Sequence, residues 1–374
     1  MAKKSSRGDG KQDKIFGLLG ALLILFALYN VFQISSFSNL FDEKIAEAKE
    51  AARPAELQMI VITDSDCTDC FDIQSVVDSV KNAHVNITSE KSVELSSDEA
   101  QGLISKYSIE KIPTVLLFGE TNKTVIRNME KTDDALVFRA LTPPYVDADT
   151  SSVMGRVSAV ILEDSSCDKC YNMAQILQNF KQSGITVVSE RVVDRNSEEG
   201  QSLISKYSFE SLPALILSRD LEAYGGDIIA GWRSFGSVEE DAYVTRLTTP
   251  PYVDLNEDRV VGLISMTFLV DGSCDECYDA TNLHKSILAR MGVVVGEEKI
   301  VDVSSSDGQA LVDKYSITKV PTIILEGDVD KYLSVVNAWR SVGTVESDGT
   351  YVFRQVEFAA QKYKDLTTGE VVQP

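Results

Sequence analysis

All six cysteines of the chain fall into three Cys-x-x-Cys pairs, Cys67 with Cys70, Cys167 with Cys170 and Cys274 with Cys277, and none is left over. Thiols at this spacing suit thiol–disulfide exchange, a fixed structural disulfide, or half of a tetrahedral metal site. A closed zinc site wants four ligands, so two pairs far apart in sequence would have to face each other. The only histidines are His84 and His284, too few to give every pair an imidazole base. Each reads more simply as a structural histidine, His284 lying on an apolar stripe.

The 374 residues suffice for two or three domains. A formal net charge of -21 excludes the clustered basic surface that a nucleic-acid partner needs, so no nucleic acid is expected. It also disfavours anionic lipid headgroups, and most simply reflects a solvated surface.

What must position the cysteines is a unit that occurs three times. LISKYSIEKIPTVLL from Leu103, LISKYSFESLPALIL from Leu203 and LVDKYSITKVPTIIL from Leu311 align, and their prolines, Pro113, Pro213 and Pro321, follow the first cysteine by 46, 46 and 47 residues. The motifs LTPPYVD and TTPPYVD, at Pro143-Pro144 and Pro250-Pro251, each stand 24 residues before the next first cysteine and read as stiff linkers. Boundaries are therefore expected near Tyr145 and Tyr252.

Within each unit an apolar strand ends just before the cysteines, at Met59-Ile60-Val61-Ile62 in the first. A helix follows directly, with Ile73, Val76, Val77 and Val80 on one stripe. A second strand leads to a second helix, capped in the first unit by Ser96 with Glu99 three residues on. Then come the proline-led strand, another strand, and a last helix opened in the second unit by Ser237-x-x-Glu240. The expected order is β-α-β-α-β-β-α. Trp232 and Trp339 stand at matching points before that last helix and read as core packing.

Residues 15–34 carry no formal charge, the length of one bilayer-spanning helix, and Lys3, Lys4, Arg7, Lys11 and Lys14 precede them. The positive-inside bias keeps the N-terminus cytosolic and places all the cysteines outside the cytosol. A cleaved signal peptide is the alternative, although SSFSNLF makes a poor cleavage site. The expected organisation is a basic tail at 1–14, a transmembrane helix at 15–34, and a spacer at 35–56 whose helix is capped by Ser38 or Asn39 and ends near Pro54. Three units then occupy 57–145, 146–252 and 253–374. Asn86-Ile87-Thr88 and Asn122-Lys123-Thr124 match the glycosylation sequon, in keeping with an exported chain.

A strand running into Cys-x-x-Cys, then Tyr-Ser-Ile-x-x-Ile-Pro-Thr leading an apolar strand, resembles the thioredoxin superfamily. The resemblance covers about residues 57–363, three times over, and the tandem arrangement behind an anchor looks most like the protein disulfide isomerase branch. The units look closest to a minimal glutaredoxin-like core, an α/β fold. The resemblance implies that Cys67, Cys167 and Cys274 attack, that Cys70, Cys170 and Cys277 resolve, and that Pro113, Pro213 and Pro321 are cis-prolines facing them. A cysteine at a helix N-terminus would favour thiolate, and the cis-proline bend would let an extended substrate strand pair beside the sulfurs.

The chain departs from that pattern in two ways. Thr-Asp, Asp-Lys and Asp-Glu stand between the cysteines, and Val61, Ile161 and Phe268 replace the buried acid expected six residues before the first cysteine. Neighbouring carboxylates oppose thiolate formation, which Lys169 partly reverses in the second unit, so Cys167 should be the most acidic attacker and Cys274 the least. The expected function is a membrane-anchored, extracytoplasmic thiol–disulfide oxidoreductase acting on protein disulfides, with no cofactor or metal and a separate recycling partner. The alternative is a non-catalytic thioredoxin-fold scaffold or client-binding protein with structural disulfides.

Overall fold

A computed structural model describes residues 10–359 and 361–374, with side chains of 10–16 and 33–42 outside that description. The described chain opens with a single helix, Gly10–Ala52. The separate spacer helix expected from Ser38 or Asn39 is thus continuous with the apolar stretch, Glu, Lys and Ala being strong helix formers that carry it on towards Pro54. Among the described residues no helix is long and apolar enough to cross a membrane. The ends of the expected span, residues 15, 16, 33 and 34, have side chains outside the described set.

Three five-stranded sheets follow, each built the same way. In the first, the central strand Ala55–Thr63 runs parallel to Val85–Glu94 and antiparallel to Thr114–Gly119. Ala135–Phe138 and Met129–Lys131 extend the sheet. Alternate residues of the central strand, Ala55, Leu57, Met59 and Val61, are buried, as a strand with one face on the core requires. The helix Gln74–Lys81 makes the crossover between the parallel strands, burying Val77 and Val80. The second and third sheets are centred on Val157–Glu163 and Ile264–Val270, with crossover helices Met173–Gln182 and Ala280–Arg290.

The second helix of each unit, Asp98–Tyr107, Glu198–Tyr207 and Ser306–Tyr315, is capped by Ser97, Ser197 and Ser305. The cap in the first unit is therefore Ser97 rather than Ser96: its hydroxyl accepts the Ala100 N–H at 3.2 Å. Each helix ends on a serine in the left-handed region, Ser108, Ser208 and Ser316, at φ of 49°, 51° and 51°. The preceding tyrosines hydrogen-bond Asp134, Asp241 and Asp348, pinning the helix to the end of the sheet hairpin.

The final helix of the expected order is not where the sequence placed it. In the second unit Gly226–Trp232 precedes the last two strands, and Ser237 lies in the strand Gly236–Val238 instead of capping a helix. The cause is local. The Trp232 indole N–H donates to the Ser237 carbonyl at 3.1 Å, and a Cβ on Gly236 would stand 2.4 Å from that indole nitrogen. Tyr243 and Val244 next along are buried and complete the hairpin. The third unit repeats this with Leu333–Val342 and Trp339 bonded to the Thr344 carbonyl. The observed order is β-α-β-α-β-α-β-β in those two units, and the tryptophans are packing residues at the helix end.

Two compact bodies are distinguished. One holds Met1–Leu141 and Tyr145–Ser152; the other holds Thr142–Pro144 and Val153–Pro374, with the second and third sheets together.

Candidate active site

Each central strand delivers the chain into an Asp-x-x-Cys-x-x-Cys turn. The amides of Cys67, Cys167 and Cys274 donate to the carbonyls of Asp64, Asp164 and Asp271 at 3.3, 3.0 and 3.0 Å. The aspartate side chains accept the amides of Asp66, Ser166 and Ser273 at 3.0, 2.9 and 2.8 Å, so every cysteine turn is led by an Asx turn. An acid from the neighbouring parallel strand, Glu94, Asp194 or Asp302, accepts a further amide of the loop. Those bonds hold the Asp194 carboxyl down at about 2, the Ser165 contacts being the main cause.

The three pairs are disulfides, Cys67–Cys70, Cys167–Cys170 and Cys274–Cys277. All six cysteines are half-buried residues. The crossover helices begin only at Gln74, Met173 and Ala280, after the second cysteine of each pair. Asn172 and Asp279 cap the latter two, accepting the amides of Ala174 and Thr281. The first cysteine of each pair thus does not sit at a helix N-terminus, and the dipole expected to favour thiolate acts on the residues at the helix start instead. Sequence periodicity located the helix but could not fix its first turn, because the i to i+3 turns that close the second and third cysteine pairs use the same spacing as a helical turn.

Lys169 also behaves otherwise than expected. Its ammonium donates to the carbonyls of Val295 and Gly296 in the third sheet at 3.0 and 3.1 Å, which fixes the charge on that backbone.

The peptide bonds preceding Pro113, Pro213 and Pro321 are cis. In the first unit Cys67, Cys70, Ile112, Pro113 and Val146 line one groove of about 310 Å³. In the second, Cys167 and Cys170 pack on the cluster containing Leu212 and Val253. In the third, the Tyr278 hydroxyl, on the residue after Cys277, donates to the Pro321 carbonyl at 2.9 Å. The first unit thus brings the expected cysteines and proline into one groove, the second packs its cysteines on the cluster that holds the residue before Pro213, and the third ties the residue after Cys277 to Pro321.

A recurrence at these places went unrecognised in sequence. Asp64, Asp164 and Asp271 recur three residues before the first cysteine, a regularity visible once the copies are aligned. Asp164 is buried against Arg195 at 2.7 Å, and Asp271 pairs with Lys364 at 2.5 Å. The Lys364 ammonium, with help from Ser273, holds the Asp271 carboxyl below the usual carboxylate range. The segments read as linkers are themselves part of the site. Tyr145–Asp147 pairs antiparallel with Lys111–Ile112, and Tyr252–Asp254 pairs with Ser211–Leu212. Tyr363–Asp365 does the same to Lys319–Val320, so each strand lies on the residues just before the cis-proline. His284 is buried beneath the third site, while His84 is tied to the Ala52 carbonyl at 3.0 Å, away from any sulfur contact among the described bonds. Among the described residues no cluster of three or more acidic, histidine or cysteine ligands is assembled for a metal ion.

No family model matches the chain, and no curated protein matches it in sequence. Among solved structures, full-length ERdj5 aligns at 11% identity over 82% of this chain and 42% of its own, with a TM-score of 0.15. The chain thus spans less than half of that protein. Human ERp44 aligns at 10% identity over 83% of this chain and 94% of its own, TM-score 0.15. The alkylhydroperoxide reductase protein AhpF of Enterococcus faecalis aligns at 16% identity over 46% of this chain and 83% of its own, TM-score 0.16. The fold assignment rests on the topology itself. A parallel strand pair joined by a helix, an antiparallel strand led by a cis-proline, and a cysteine turn beside that proline make each of the three units thioredoxin-like.

Proposed function

We propose that this chain is a membrane-anchored thiol–disulfide oxidoreductase that acts on protein disulfides and thiols outside the cytosol. The observation that carries the reading is the meeting of a half-buried cysteine pair and a cis-proline in one groove, which Cys67, Cys70 and Pro113 line together in the first unit. In the oxidised state a substrate thiolate attacks Sγ of Cys67, Cys167 or Cys274, the resident S–S bond breaks, and Cys70, Cys170 or Cys277 leaves as thiolate and takes up a proton. A second substrate thiolate then attacks its own mixed-disulfide sulfur. The substrate leaves oxidised by two electrons, and the pair is left as a dithiol. Run backwards, the first cysteine attacks a substrate disulfide and the second resolves it. A separate partner recycles the pair, since the proposed span at residues 15–34 has no cysteine to carry electrons.

The anchor is supported by that uncharged stretch and by the basic residues ahead of it. Alkaline carbonate extraction and protease protection of membrane vesicles test anchoring and orientation. For the chemistry, insulin reduction and scrambled-substrate refolding are measured with Cys67, Cys167 and Cys274 replaced by Ser in turn. Activity that survives the triple replacement refutes the assignment.

One observation favours a second reading, a non-catalytic client-binding scaffold with permanent disulfides. The backbone edge beside each cis-proline already carries a strand of the same chain.

A further inference from the structure

We infer that Tyr145–Asp147, Tyr252–Asp254 and Tyr363–Asp365 are internal occupants of the substrate edge, so that the resting disulfides exchange freely with small dithiols but with extended polypeptide thiols only once that strand is displaced. The inference deepens the function proposed above and rests on it.

An extended polypeptide docks on a sheet edge by filling its unpaired N–H and C=O groups. Beside each cis-proline those groups are taken: Ile112 is registered with Val146, Leu212 with Val253, and Val320 with Lys364. The occupant is no open template either, because in the second and third units its far edge pairs with Arg259–Val261 and Val371–Val372. It also crosses towards the cysteine turn. The Tyr171 amide donates to the Pro251 carbonyl at 2.8 Å, and the Tyr278 amide to the Lys362 carbonyl at 2.9 Å, each from the residue following the second cysteine. The strand therefore straps the gap between sulfur and proline, and its central valines, Val146 and Val253, are buried there.

Each strap registers only two residue pairs with the proline edge, so its hold rests mainly on its buried side chains and, in the second and third units, on its far-edge pairing. The third differs in chemistry. Lys364 replaces the buried valine and is fastened by its ion pair to Asp271, three residues before Cys274. Its release therefore depends on breaking that ion pair, whereas the other two depend on apolar contact. A displaced strap leaves the same backbone groups for a polypeptide dithiol, which then reduces the disulfide by the two-step exchange described above and departs as a disulfide itself.

The test uses the full chain and two sets of variants, Val146→Ser with Val253→Ser, and Lys364→Gln, with Lys364→Arg as its control. Reduction rates are measured with dithiothreitol and with a reduced, unstructured two-cysteine peptide. The peptide-to-dithiothreitol ratio should rise roughly tenfold in the valine variants, the shift expected when a buried valine contact is lost. Lys364→Gln should raise it at the third pair alone, whereas Lys364→Arg, which keeps a cation on Asp271, should leave it unchanged. Independently of sulfur chemistry, a fluorescent peptide of residues 142–149 should bind the strap variants and not the wild type. Absence of binding to every variant overturns the inference, whatever the rates. Failure of dithiothreitol to reduce the wild-type pairs overturns the oxidoreductase reading instead, and the binding arm still decides the straps.

Discussion

The Tyr278 hydroxyl stands 3.1 Å from His284 Nε2 while giving its proton to the Pro321 carbonyl. The histidine is then the donor in that contact, protonated on Nε2. Phe353 packs edge-on against the imidazole at 4.7 Å. Burial alone pushes the His284 pKa down from 6.5 to about 4. Below pH 6.5 the unfolded imidazole takes up a proton that the folded one refuses. Stability of the third unit should therefore fall as pH drops from 6.5 towards 4, by about 3 kcal/mol in all. Urea unfolding across that range, compared with His284→Leu, checks it: the variant should show a flatter acid limb.

Arg195 is held over the buried Asp164 carboxylate by charge more than by directed hydrogen bonding, since its Nε lies 2.7 Å from the carboxylate yet finds no partner in hydrogen-bond geometry. Arg195→Met should cost roughly 3 kcal/mol by leaving that carboxylate uncompensated. Asp164→Asn in the same background should recover part of the loss, measured by denaturant midpoints in a double-mutant cycle.

Because the crossover helices start after the cysteine turns, no helix dipole assists the thiolates. In the reduced protein the first thiols should therefore react slowly at neutral pH, as thiols with no helix end behind them do. Iodoacetamide alkylation rates against pH, on single-pair variants, test this. A first thiol alkylated rapidly at neutral pH would show that some other donor stabilises it.

Ser208 occupies a left-handed position, φ 51°, where its Cβ crowds the following carbonyl. Ser208→Gly should stabilise the second unit by roughly 0.5–1 kcal/mol, the relieved crowding exceeding glycine's added freedom when unfolded. The Arg246 guanidinium that donates to the Ser208 carbonyl is untouched by the change. Thermal melts of the variant and of Ser316→Gly should both move upward.

Much of this architecture was legible in sequence because repetition magnified it. Three copies fixed the central strand, the cysteine pair and the proline at one spacing, and alternation of buried residues did the rest. Two things were not legible. Ser237 and Glu240 have the spacing of a helix cap, but Trp232 captures the Ser237 carbonyl from outside the local window and draws the segment into the sheet. Tyr-Val-Asp after paired prolines reads as linker, because two residues of strand pairing leave too short a signal to register as periodicity. The Asp-x-x-Cys element was available all along, in three identical positions, and only its contacts show what it does.

The straps carry a practical consequence for anyone dissecting the molecule. The first unit's proline edge is completed by Tyr145–Asp147, which lies beyond Pro143-Pro144, so a fragment trimmed at those prolines loses a strand and bares the groove that holds Cys67 and Cys70. Fragments ending at Ser152 keep it. An isolated unit cut at the prolines would therefore overstate the reactivity, and the stickiness, of the intact chain.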